Sequence, residues 1–139
     1  MSARQKVGSG APWEAAVGYS RAVRQGPHVW VAGTTGVGPD GTPAAADAYG
    51  QARRAFEIVE EALTALGASL GDVVRTRLYV VDAARDAEAV GRAHGEVFGE
   101  VRPAATLLQV AALIRPDLVV EVEADAYVAG EGAPLSGRT

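Results

Sequence analysis

The sequence contains no cysteine and two histidines, His28 and His94. Thiolate nucleophiles, disulfides and cysteine-ligated zinc or iron–sulfur sites are therefore excluded, and no second imidazole lies at metal-ligand spacing from either histidine. The groups left for chemistry are oxygen-based: carboxylates, hydroxyls and backbone N–H groups. Glu121, Glu123 and Asp125 recur at every second position near the C-terminal end, as do Arg75, Arg77 and Tyr79 further upstream. Thr34 and Thr35 follow Gly33 and offer hydroxyls and N–H groups to an oxygen; their plain reading is a strand ending in a turn. Gly36-Val37-Gly38 looks superficially like a phosphate loop, but no Walker or dinucleotide pattern and no helix start follows it.

The 139 residues fit one domain, and 48% hydrophobic content is enough to bury a core. A net charge of −4, with a sequence pI near 5.1, argues against a nucleic-acid binder, which needs a basic face for phosphates. No apolar stretch approaches the length of a membrane span, and no apolar region follows the N-terminal charges as in a secretory signal. The expected location is the cytoplasm. Residues 1–16 are expected to form a flexible N-terminal segment, 17–129 the folded domain, and 130–139, rich in Gly, Pro and Ser, a flexible tail.

The elements that position these groups follow from hydrophobic period. Val17 to Arg24 and His28 to Thr34 read as strands joined at Gln25-Gly26-Pro27. From Asp47 the period changes: Ala52, Ala55, Phe56, Val59, Leu63 and Leu66 form one helical stripe, with Asp47 as cap and Gly67 as stop. Val73 to Val81 alternates, Val74, Thr76, Leu78 and Val80 on one face and Arg75, Arg77 and Tyr79 on the other. Asp82 caps a second helix carrying Val90, His94, Val97, Phe98 and Val101, broken by Arg102-Pro103. Two more strands, Thr106 to Val110 and Val119 to Val128, complete an α+β order ββαβαββ, one sheet with both helices on one face. The opposite face carries Trp30, Arg75, Arg77, Tyr79, Glu121, Glu123 and Tyr127. That mixture of aromatics and complementary charge suits a wet, specific protein interface, so a homo-oligomer is expected.

Several short motifs then fall in a telling order: Gly18-Tyr19-Ser20-Arg21-Ala22-Val23, Val31-Ala32-Gly33-Thr34, Gln51-Ala52-Arg53, Asp72-Val73-Val74-Arg75-Thr76, Arg102-Pro103-Ala104 and Val120-Glu121-Val122-Glu123-Ala124. By these the chain resembles the RidA family, also called YjgF or reactive intermediate deaminases, from about Val17 to Val128. The resemblance implies a chorismate-mutase-like fold, a homotrimer, and small-molecule sites in the clefts between subunits. In the archetypal members an arginine just after the Pro-Ala pair binds the carboxylate of a 2-imino or 2-enamino acid, which water hydrolyses to a 2-oxo acid and ammonia. The matching residue here is Ala105. Ala32 stands where serine is common, Gly91 where a helical asparagine is common, with Arg92 there if the alignment shifts by one, and Leu107 where cysteine often sits. Tyr19, Gly33 and Glu121 are retained. The start Ser9-Gly10-Ala11-Pro12-Trp13-Glu14 and the run Ala93 to Phe98 resemble a divergent branch of the family.

Each candidate has a functional and a plain reading. Glu121 can orient water or shuttle a proton, or pair with Arg75 or Arg77 across the sheet. Tyr19 can hydrogen-bond a ligand or pack at an interface. His94 lies on an apolar stripe where a half-buried, satisfied histidine is the ordinary outcome. Arg92 can replace the missing arginine or remain an exposed helix residue. With Glu121 and Tyr19 as the catalytic pair, the remaining substrate-binding candidates are Gly33, Thr34, Ala105, Leu107, Gly91, Arg92 and His94. The expected function is hydrolytic or acid–base chemistry on an imine, enamine or related carbonyl metabolite, other than ordinary 2-imino acids. It needs no cofactor, because an imine carbon is already electrophilic. The alternative is a non-catalytic trimer that binds a small metabolite. A ribonuclease is disfavoured by the acidity and by the lack of a histidine pair or lysine cluster.

Overall fold

Gly26, at φ 61°, lets the chain reverse in a two-residue loop. Ala22–Gln25 (β2) and His28–Thr35 (β3) pair as a hairpin around it, Gln25 opposite His28. The computed structural model describes residues 3–130. Two long helices, Ala48–Ala65 (α2) and Ala83–Phe98 (α3), bury the apolar stripes read from the sequence, Phe56, Val59 and Leu63 on one and Val90, Ala93 and Phe98 on the other. The remaining strands are Gln5–Val7 (β1), Val73–Val80 (β4), Ala104–Gln109 (β5) and Val120–Tyr127 (β6).

The sheet order is β1-β2-β3-β6-β4-β5. β6 is antiparallel to both β3 and β4, so those two run parallel with β6 inserted between them, while α3 carries the chain from β4 to its parallel neighbour β5. Both helices cover one face, where Val29, Val31, Leu78, Val80, Val120, Val122, Ala124 and Ala126 join one core cluster with them. The architecture is the expected single-sheet α+β fold, extended by β1.

Local departures have physical causes. Within residues 1–16, expected as a flexible segment, the structure has β1, paired with β2, and most of a short helix, Pro12–Val17 (α1). Pro12 suits the first helical turn, and the Glu14 carboxylate accepts from the backbone N–H of Ser9 at 3.0 Å and from its hydroxyl. Val17 therefore ends a helix, with Gly18 at φ 94° behind it, and β2 begins only at Ala22. Asp47 sits at the N-cap of α2 but makes no side-chain cap, whereas Asp82 accepts from Arg85 N at 3.1 Å. A register shift between Val73 and Arg75 turns Val73 inward and leaves Val74, expected on the inner face, exposed. The expected tail lies, beyond Gly130, outside the described residues.

One polar group ties the loops to the core. The amide of fully buried Gln51 donates to Ala45 O and Asp117 O, both at 3.0 Å, and accepts from Val119 N at 2.9 Å. It thereby anchors the loop leaving β3 and the loop entering β6 on α2. Gln51→Ala strands two carbonyls and an N–H in a dry site, so urea denaturation should read a loss of about 2–4 kcal/mol. A loss below about 0.5 kcal/mol, the usual scatter of a neutral surface change, would contradict this anchoring role.

Candidate functional site

Between Val31 and Thr34, β3 places two residues, Ala32 and Gly33, opposite one residue of β6. The bulge keeps both Val31 and Thr34 pointing into the core and brings Gly33 beneath the side chain of Glu121. A Cβ at Gly33 would collide with Glu121 Oε2, so the carboxyl in this placement occupies the space that the glycine leaves open. Thr35 of β3 and Tyr79 of β4 are the cross-strand neighbours of Glu121 on the face away from the helices.

The arginines and tyrosine that β4 presents on this face are already committed elsewhere. Arg77 pairs with Asp125 at 3.2 Å and Glu123 at 3.5 Å, and Arg75 donates to Thr106 Oγ1 at 3.1 Å. Tyr79 donates its hydroxyl to Glu123 Oε1 at 3.1 Å. Glu121 forms an ion pair with neither arginine among the described residues, so its plain reading as a cross-sheet brace does not hold within the chain. Partial burial pushes its pKa up from the ordinary carboxylate value, Glu123 adds to the rise, and Arg21 opposes it. A carboxyl moved toward neutrality can both take and return a proton.

Tyr19 lies on the same face. It lines a cavity of about 680 Å³ with Lys6, Trp30 and Ala32, and its hydroxyl has no partner among the described residues. Glu121 does not line that cavity; Ala32, next to Gly33 in the bulge, joins the two regions. Thr34 is 1% exposed and donates its hydroxyl to Ala32 O at 2.8 Å, so within the chain Thr35, not Thr34, stands beside Glu121.

The other candidates are set apart from this centre within one chain. Ala105 and Leu107 lie on edge strand β5, separated from β6 by β4. Gly91, Arg92 and His94 are on α3, beyond the opposite face of the sheet. Gly91 borders open space, and the Arg92 guanidinium lies 4.4 Å from the centre of the Tyr49 ring. His94 Nε2 is 2.8 Å from Thr76 Oγ1, with the rings of Phe98 and Phe56 at 4.8 and 5.8 Å, and burial lowers its pKa. It is the satisfied histidine of its plain reading. The sequence reading passed over Arg21, which donates Nη2 to Gly33 O. Strand alternation held the signal: with Ala22 buried inward, Arg21 falls outward with Glu121. No group of three or more His, Cys, Asp or Glu among the described residues can hold a metal ion, and no helix among them is long and apolar enough to cross a membrane.

A mixed six-stranded sheet with two long helices on one face and a glycine-cradled carboxyl on the other defines an α+β class of small domains. The family model described as endoribonuclease L-PSP matches residues 9–128, and the chain belongs to that family, YjgF/RidA. Rv2704 of Mycobacterium tuberculosis, a YjgF/YER057c/UK114 family member, is 52% identical in sequence with a TM-score of 0.83, covering 91% of this chain and 100% of that one. A Streptomyces coelicolor protein is 43% identical over 123 residues, 88% of this chain and 91% of that one. Escherichia coli TdcF, solved with bound serine, is 28% identical with a TM-score of 0.74, covering 89% and 94%.

The two glycines give opposite expectations. Gly33→Ala must swing the Glu121 carboxyl, the far end of a flexible side chain, off the bulge, and should cost no more than about 1 kcal/mol. Gly91→Ala meets nothing within 4 Å in the middle of a helix and should stabilise by about 0.5–1 kcal/mol. Parallel denaturation curves test both; a Gly33→Ala loss above about 2 kcal/mol would show that the carboxyl is locked over the bulge.

Proposed function

We propose that the protein is a small-molecule enzyme performing hydrolytic or acid–base chemistry on an imine, enamine or related carbonyl metabolite, in clefts between three copies of the chain. The observation that carries this reading is Glu121: a half-buried carboxyl over Gly33, unpaired with the arginines of its sheet face and shifted toward neutrality. For an imine, the carboxylate takes a proton from water as the water oxygen bonds to carbon, and the C=N electron pair moves to nitrogen. The carboxyl returns that proton to nitrogen, giving a neutral carbinolamine. The carboxylate then relays the carbinolamine O–H proton to the same nitrogen as the C–N bond breaks, its electron pair leaving on the amine and the O–H pair closing the carbonyl. The Tyr19 hydroxyl, free of partners among the described residues, is available to hold the ligand. The serine bound by TdcF supports a ligand of similar size.

Assembly through the outer face is supported by its composition. Trp30 and Tyr127 are about half exposed, His28 lies between their rings at 5.6 and 5.3 Å, and the charged rows of β4 and β6 flank them. Ala105 argues against ordinary 2-imino acids, since a methyl group cannot hold a carboxylate that has left water. The same residue favours the second reading, a trimer that binds a metabolite without turnover. Net charge and the half-buried, satisfied His94 argue against cleavage of RNA.

The test pairs turnover with assembly. A panel of imines and enamines is assayed for carbonyl product, with light scattering to measure the oligomer, for wild type and Glu121→Gln. Turnover should fall by about 10²–10⁴ with the trimer intact. Unchanged turnover in an intact trimer would eliminate the catalytic assignment, and binding without turnover in wild type would favour the second reading.

A further inference from the structure

Arg21 is held from both sides before its side chain does anything. Its N–H donates to Val7 O at 2.8 Å and its carbonyl accepts from Ala32 N at 2.9 Å, which fixes it between β1 and the bulge of β3. The guanidinium reaches the Gly33 carbonyl through Nη2, while its Nε is buried without a partner. An arginine stripped of water on one edge is an expensive way to hold one carbonyl. The placement makes sense if the charge itself is used.

The surrounding charge supplies that use. Glu123 faces Glu121 from the same strand; β4 contributes Tyr79, bound to Glu123, and Arg77, bound to Glu123 and Asp125. Gly33 and Thr35 of β3 bring no charge, and Leu108 of β5, in the row beyond Tyr79, brings none. Arg21 is thus the cation beside Glu121 that forms no ion pair among the described residues; it attracts Glu121 and, from α1, Glu14, without a salt bridge to either. We propose that Arg21 is the positioning residue of the Glu121 site: its guanidinium pins the Gly33 carbonyl that shapes the cradle and supplies the positive charge that offsets Glu123 at the Glu121 carboxyl. This deepens the function proposed above and rests on its choice of site, but not on turnover.

Removing a cation disfavours the carboxylate, so loss of Arg21 must move Glu121's titration midpoint upward, adding to the rise that burial and Glu123 already cause. Three variants separate charge from hydrogen bond: Arg21→Lys keeps the charge, Arg21→Gln keeps a donor for Gly33 O, and Arg21→Met keeps neither. The carboxyl carbon of Glu121 is followed by NMR across pH, assigned by its absence in Glu121→Gln, together with the Gly33 carbonyl resonance. Arg21→Gln and Arg21→Met should both raise the midpoint, leaving less carboxylate at a given pH, with Arg21→Lys close to wild type. The Gly33 resonance should move in Arg21→Met and stay nearest wild type in Arg21→Gln. If Arg21→Met does not fold, the Lys and Gln pair decides. An unmoved Glu121 midpoint in folded Arg21→Gln, or equal midpoints in the Lys and Gln variants, would overturn the proposal. A midpoint that moves as stated supports it even where Glu121→Gln leaves turnover intact, an outcome that would sink only the catalytic reading.

Discussion

The side of the sheet away from the helices is organised around one contact: the Glu121 carboxyl lies directly over the backbone of Gly33, in the space a Cβ would occupy. The bulge at Ala32–Gly33 creates that relation by slipping β3 one residue against β6. Its cost in ladder hydrogen bonds is offset on the inner face, where the slip returns Thr34 to the core in line with Val31 and Val29. The same two residues thus keep the core continuous and leave Glu121 half-buried, against backbone instead of against a counter-ion. Gln51 fixes the chain on either side, since the loops it binds leave β3 and enter β6 next to Thr35 and Glu121.

Electrostatics then divides the outer face into two kinds of carboxylate. Glu123 and Asp125 share Arg77, and Glu123 also accepts from Tyr79; these groups satisfy one another within the chain. Tyr79 is itself pushed up from the ordinary phenol value, first by burial and then by Glu123, so it remains a neutral donor. Glu121 stands at the end of this row with attraction from Arg21 and repulsion from Glu123, and with neither neighbour in ion-pair contact. A carboxyl in that balance is suited to exchanging protons; one locked in a salt bridge is not.

How much of this was legible in the sequence depends on period. The stripes of Phe56, Val59 and Leu63 and of Val90 and Phe98 announce two helices, and the alternation of Val120 through Tyr127 announces a strand with unlike faces; all are found as read. Period fails where the chain adds a residue. The slip beside Val74 and the bulge at Gly33 shift the phase by one, which is why Val74 is exposed and Thr34 turns inward. α1 was missed because six residues with no buried side chain carry no stripe; a proline start and a Ser9–Glu14 contact define it instead. Gly33 and Glu121, 88 positions apart by their numbering, meet only because β6 inserts beside β3, a pairing that local pattern does not specify.

The α3 candidates show the converse limit. His94 carries the residue type most often used for acid–base work, yet it is hydrogen-bonded to Thr76 and packed between two phenylalanines beneath the sheet. Residue type nominates a site, and the face of the sheet decides it. The account therefore turns on where a ligand's reactive carbon lies relative to Glu121. A crystal structure of the assembled protein with an unreactive imine or carbonyl analogue measures this directly. The account predicts that carbon within about 4 Å of a Glu121 carboxyl oxygen, or one bridging water away. A ligand bound elsewhere, with Glu121 turned into a salt bridge with a neighbouring copy, would contradict it.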